Sequence, residues 1–514
     1  MIRQAFISVL LSLVIALGGL CGAGAAATKP QGEVTYAMHV ILAPTWFDPA
    51  ENTGIVSPFM VQYALHDALV KPMPEGPMTP SLAESWTESP DGLSYEFVLR
   101  KGVTFHNGEL MTAEDVKFSF ERYRGAAAKL LKEKVKTVEI MDPHRIRFML
   151  HEPWPDFMTF YATPASGAAW IVPKKYVEQV GDDGFKKHPI GAGPYKFVSH
   201  QPGVELILEA FEGYWRKTPN IKRLIKKVVP DESTRLAMLK KGEADIAYLM
   251  PGPTGEEVKR TPHLRLVPSG GQATQFICLF DQWDPKSPWH DGRVRLAASH
   301  AIDRKAISDV ETFGASPVMG SIIPRPFEFA LQVEPSAYDP AKAKQLLKEA
   351  GYPNGFDAGE MTGTVQYANP AEAVLNYFAA VGIRARFRTM ERAAYIAAWT
   401  SKKLKNLSFC GAGGFGNAAT RVENYFVSTG MYTYGGYPDI DELFEKQARE
   451  LDRKQREALL HKIQRLAYER VMYIPIYSLV WNTGVGPRVE EPSLGKIPLY
   501  YYTAPVEEMR LKAN

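Results

Sequence analysis

Residues 80–122 read Pro80-SLAESWTESPDGLSYEFVLRKGVTFHNGELMTAEDVKFSFE-Arg122. Tyr95, Phe97 and Leu99 alternate with Glu96, Val98 and Arg100, the period of two that marks a strand with one buried face. Asp91-Gly92 is a turn signal before that strand. Lys101-Gly102 ends it, and Phe105-His106-Asn107-Gly108 turns the chain again. Thr112 stands three residues before Asp115, the spacing of a capping box. Val116, Phe120 and Tyr123 then recur at helical intervals. The stretch predicts a strand, a turn and a capped helix, anchored on Leu82 and Trp86. Nothing in it is chemically reactive.

In its residues and their order, this stretch resembles the signature of the peptide/nickel class (family 5, cluster C) of periplasmic solute-binding proteins of ABC transporters. Five further blocks resemble the same family. Pro189-Ile-Gly-Ala-Gly-Pro-Tyr-Lys-Phe197 reads as a glycine turn entering a strand, followed by Val204–Leu208 and Gly213-Tyr-Trp215. Asp231–Gly242 reads as a helix with an Asp cap and a glycine stop, and Glu243–Tyr248 as the start of a strand. Asp291–Ile307, with Arg293 and Arg295, matches the family's helix after the crossing into the second lobe. Tyr338–Pro353 reads as a helix, with Asp339 to cap it, Pro340 at its first position, and Gly351 and Pro353 to stop it. Leu451–Ile476 puts Leu459, Ile463 and Leu466 on one helix face, before a strand at Tyr473-Ile-Pro-Ile-Tyr477.

The resemblance implies an α/β, two-lobed periplasmic binding protein type II fold. It has an extra subdomain in the N-terminal lobe and a two-strand hinge. Lobe I is expected at 28–70, 189–273 and 484–514, the inserted subdomain at 71–188, and lobe II at 274–483. Mixed strands and helices without long linkers agree with α/β architecture.

The first residues point to export. Arg3, an apolar run from Ala5 to Leu20 and small residues up to Ala25-Ala26-Ala27 form a signal-peptide pattern over 1–27. Cys21 offers a lipid-anchor alternative, but Leu20 stands where a lipobox has a small residue. The 514 residues exceed what one core organises. A formal net charge of +3 excludes a nucleic-acid footprint and an acidic tail. Beyond Cys21, only Cys278 and Cys410 remain; they are two buried thiols or a single disulfide.

Signals for catalysis or cofactors are weak. Gly411-Ala-Gly-Gly-Phe-Gly416 fits G-x-G-x-x-G, but a dinucleotide site needs a helix opening at once inside a βαβ unit. The sequence predicts a flexible cleft loop there instead. Pro153 and Pro155 break the helix that a zinc motif beginning His151-Glu152 requires. There is no phosphate loop and no nucleophile elbow. The expectation is no enzyme, no cofactor and no resident metal.

Peptide-binding members of the family place an Asp in a W-x-x-D-Y-x-D-P-like loop of lobe II, where it pairs with the ligand's ammonium group. The matching segment here is Phe415-Gly-Asn-Ala-Ala-Thr-Arg421. Phe415 keeps the aromatic, Asn417 stands near the missing Asp, and Arg421 adds a positive charge. The departure favours a neutral polar or anionic solute, unless Glu423 replaces the Asp. Arg421 facing solvent or pairing with Glu423 is the other reading. The resemblance adds Trp46, Phe47, Asn52, Trp170, Tyr248, Gln275 and Phe276 as cleft candidates. Together these imply a receptor, expected as a monomer, that closes on a small or peptide-like solute and delivers it to ABC permease subunits. The alternatives are a metal-chelate cargo of the nickel type or a periplasmic hydrolase on the same fold.

Overall fold

The computed structural model describes residues 29–51, 58–125, 127–161, 166–413 and 416–513. The proposed leader, Cys21 and Asn52 lie outside them, as does Phe415. Among the described residues no helix is long and apolar enough to cross a membrane.

A ten-stranded mixed sheet runs through the molecule. Its strand order is Tyr195–Gln201, Glu205–Ala210, Ile221–Val228, Gln31–Met38, Ile246–Ala247, Tyr473–Val485, Arg265–Leu279, Leu407–Ala412, Phe356–Thr364 and Ile383–Met390. The two longest strands, Arg265–Leu279 and Tyr473–Val485, lie antiparallel at its centre. They connect the two lobes. One end of each belongs to a core holding Val34, Tyr36, Leu224 and Val485. The other ends carry the alternating residues of a second and a third core. Ile277 and Leu279 face the second, while Phe276 and Cys278 face the third, as successive strand residues must.

The opening stretch folds as its pattern dictates. Ser94–Leu99 buries Tyr95, Phe97 and Leu99 and joins a four-stranded antiparallel sheet with Ala83–Glu88, Arg145–Leu150 and Val135–Asp142. Helix Ala113–Arg122 follows, and the Thr112 backbone N–H donates to the Asp115 carboxylate at 2.8 Å. Val116, Phe120 and Tyr123 enter the same core as Leu82, and Trp86 packs on its edge. Asp231 caps helix Glu232–Lys241 and Asp339 caps Pro340–Glu349, each accepting a backbone N–H three residues on.

Three local expectations change. Residues 291–307 form two helices, Gly292–His300 and Arg304–Thr312, because Asp303 breaks the run and caps the second by accepting from the Ala306 N–H. The buried face of Arg453–Glu469 runs through Arg456, Leu460, Ile463 and Ala467, leaving Leu459 and Leu466 at its edges. After Gly416 the chain enters a helix at once, Ala418–Tyr425, because the Asn417 side chain accepts the Thr420 N–H and caps it.

Candidate functional site

The lobes face each other across a cleft that holds a cavity of about 180 Å³. Tyr63, Pro72 and Pro77 wall it on the first-lobe side, Pro326, Phe327 and Gly416 on the second, and Ile497–Tyr500 close it. Phe327 also lies under Arg421, whose guanidinium carbon stands 5.6 Å from the Phe327 ring centroid and 5.3 Å from that of Tyr425.

Arg421 neither faces solvent nor pairs with Glu423. It is 5% exposed, and among the described residues no carboxylate forms an ion pair with it. Its Nη2 has no hydrogen-bond partner. Burial pulls its pKa below the ordinary arginine value, with nearby tyrosine hydroxyls, Tyr425 first, acting in the opposite sense. Two other buried arginines show what a structural arginine does. Arg295 donates to the carbonyls of Trp289, His290, Arg470 and Val471. Arg304 donates to Pro475, Ser299 and Ser336. Arg421 has only the Tyr425 side chain and two ring faces in the same kind of dry surroundings, and its Nη2 is left open, a cost that an anion would relieve.

Asn417 is already engaged. Its Nδ2 donates to Asp156 Oδ1 at 2.6 Å, while its Oδ1 caps the helix that carries Arg421. The Asp156 carboxylate at this helix start also disfavours a phosphate there, against any dinucleotide reading of the glycine run.

The other sequence candidates divide. Phe47 is enclosed, with its ring 4.8 Å from His200 and 5.9 Å from Phe197, so it builds the first-lobe core. Trp46 packs half-buried on the same core. Trp170 lies against Tyr63 and Phe59 and is buried behind the cavity wall. Tyr248 is buried too, its hydroxyl 3.0 Å from Thr503 Oγ1. Gln275 and Phe276 point to opposite faces of the hinge strand, so they do not line one surface together. Phe276 packs on Tyr425 and Tyr473, whereas Gln275 Oε1 is buried without a partner.

Sequence reasoning passed over the residues that shape the crossing. Trp481, on the second hinge strand, stacks on Tyr501 at 4.5 Å and meets the edge of His39 at 5.3 Å. Tyr501 fits only because residue 270 is glycine: φ there is +103°, and a Cβ would stand 2.1 Å from the Tyr501 ring. The run Leu499-Tyr-Tyr-Tyr-Thr503, between Pro498 and Pro505, was the signal available for this aromatic wall. A separate cavity of about 130 Å³ inside the second lobe adjoins Arg304, whose donors are taken by the protein itself.

Two lobes joined by a pair of crossing strands, with a lined cleft between them, define the architecture of a solute-binding protein. The chain belongs to the bacterial extracellular solute-binding proteins, family 5, whose middle-region model matches residues 77–433. It is similar to the glutathione-binding protein GsiB of Salmonella choleraesuis (strain SC-B67), 33% identical over 320 residues. That match spans 60% of this chain and 60% of the relative. It is also 28% identical over 500 residues to heme-binding protein A of Haemophilus influenzae, across 90% of each chain. Among solved structures, HbpA2 from Haemophilus parasuis superposes with a TM-score of 0.78 at 25% identity, covering 94% of this chain and all of the other. CtaP from Listeria monocytogenes, at 21% identity and a TM-score of 0.81, shares the fold over 94% of this chain and 100% of its own.

Proposed function

We propose that this chain is the periplasmic receptor of an ABC importer and that it captures an anionic or neutral polar solute, small or peptide-like, between its lobes. Closure about the two crossing strands buries the solute, and the closed form docks on the permease. The chain acts as a monomer, binds no nucleic acid and carries out no covalent step. Export follows cleavage of the leader after Ala27, and the lobe limits given above mark the moving bodies.

The observation that carries this reading is Arg421: a buried guanidinium packed on Phe327, itself a wall of the cleft cavity, with an unanswered Nη2 and no carboxylate partner among the described residues. A carboxylate or similar anion supplied by the solute would complete it with charge-assisted hydrogen bonds. The relatives named for glutathione and for heme support this, since both of those ligands bear carboxylates. An anionic metal chelate belongs to the same chemical class and is the alternative cargo. A free ammonium group placed beside Arg421 would be repelled, and the carboxylate nearest Asn417 is already shared within the protein, so a solute that carries both charges, as glutathione does, would turn a carboxylate towards Arg421.

Titration with a panel of carboxylate-bearing solutes, glutathione included, tests the proposal. Saturable binding at one site should weaken on Arg421→Ala by on the order of 2–5 kcal/mol for a buried pair. Arg421→Lys should recover little where a planar fork is read. Equal binding by wild type and Arg421→Ala removes the anion from the account.

A further inference from the structure

Asp156 stands just before the short helix Phe157–Tyr161, which is seated in the first-lobe core. Its carboxylate does not turn back into that lobe. Oδ1 accepts from Asn417 Nδ2 at 2.6 Å, and Oδ2 accepts from Arg456 Nη2 at 2.6 Å. Both donors belong to the second lobe. Asn417 begins the helix of Arg421, and Arg456 lies on Arg453–Glu469, fixed by Gln447 and by the Phe329 ring. The contact is largely dry, with the Arg456 side chain 5% and the Asp156 side chain 13% exposed.

We propose that Asp156 is a positioning residue for solute capture: a clasp that holds the lobes together and sets the helix bearing Arg421 against the opposite wall. The choice of Asn at position 417 carries the argument. As a helix cap alone, Asp would serve equally well, since its oxygen also accepts the N–H of the third residue. An Asp at 417 would instead set a second carboxylate 2.6 Å from Asp156. The helix does not require the amide; the contact across the cleft does. The clasp uses no atom of the solute, so it adjusts affinity by changing the cost of closing rather than by recognition. It rests on the reading of this chain as a receptor that works by closure, but it can be tested without any solute.

The test is small-angle X-ray scattering of full-length protein refolded from urea to strip bound solute. Four forms are compared: wild type, Asn417→Asp, Asp156→Asn and the double variant. Asn417→Asp keeps the cap and the side-chain shape, so its melting temperature should stay near that of wild type. Its radius of gyration should rise, with the closed-to-open ratio falling by about tenfold or more, the scale of one hydrogen bond to a charged group. Asp156→Asn should open the protein in the same way. In the double variant the new amide can accept from Arg456 and donate to the new carboxylate at 417, so the compact form should return. A folded Asn417→Asp protein as compact as wild type overturns the clasp, as does a double variant as open as the single ones. Because no solute is present, neither result bears on the role of Arg421.

Discussion

The imidazole of His106 joins the two most legible parts of the chain: its Nε2 lies 2.9 Å from the Gly193 carbonyl, and its Nδ1 lies 3.2 Å from the Gly191 backbone nitrogen. The Gly191 N–H can only donate, so Nδ1 accepts and the proton sits on Nε2. His106 is therefore built in as a neutral ring. Burial is the main force holding it so, and it lowers the pKa to about 3.

Stability should therefore fall in mild acid. Burial also lowers the pKa of His66 and of His39, each to about 4. Below the unfolded value near 6.5, the unfolded chain binds protons that the folded chain refuses. Stability is complete above that value and is lost as pH falls towards the folded values. Each such histidine contributes a slope of up to about 1.4 kcal/mol per pH unit. Urea midpoints measured from pH 7.5 to 5.5, above most carboxylate titration, should decline. A flat profile would contradict the neutral histidines.

Lys226 should be a stability cost. Its side chain is buried in the first-lobe core, with Nζ 4.1 Å from the Tyr36 ring centroid, and burial lowers its pKa to about 7. Between that value and the unfolded value near 10.5 the unfolded chain binds the extra proton, so stability rises with pH across this window. Lys226→Met should stabilise the protein at pH 7 by on the order of 3 kcal/mol and remove the alkaline rise. Chemical denaturation at pH 7 and pH 10 measures both; a less stable variant at pH 7 would show that the lysine is used.

How far the sequence reached follows from which interactions are local. The strand at Tyr95–Leu99, the Thr112–Asp115 box and the helix Pro340–Glu349 are written in neighbouring residues, and they formed where the pattern put them. The break at Asp303 escaped because a lone Asp inside a helical run reads as a surface residue until its side chain is seen to cap. The site was harder still. Asn417 faces Asp156 across 261 residues, and Tyr501 approaches Gly270 across an interval nearly as long. No periodicity records such meetings. The departure at Phe415–Arg421 was legible as a change of charge, but whether Arg421 was buried or solvated depended on packing.

The two cysteines should be joined when the protein is recovered from an oxidising compartment. Cys278 and Cys410 lie on paired strands, both buried, with their Sγ atoms 2.7 Å apart, and they are free thiols here. A thiol–disulfide oxidant would take both hydrogens as the sulfurs bond. Thiol titration of exported, denatured, unreduced protein should find neither cysteine free. Two titratable thiols would show that the pair serves only as small core residues.

The most direct test of the central claim is to release and identify what the exported protein carries. Native mass spectrometry of gently purified protein, followed by denaturation and analysis of the freed solute, reads stoichiometry and chemistry together. One unaltered solute per chain is expected, anionic or neutral and polar, and lost from Arg421→Ala protein. A cationic solute such as a basic peptide with a free amino terminus, held as firmly by Arg421→Ala as by wild type, would contradict it.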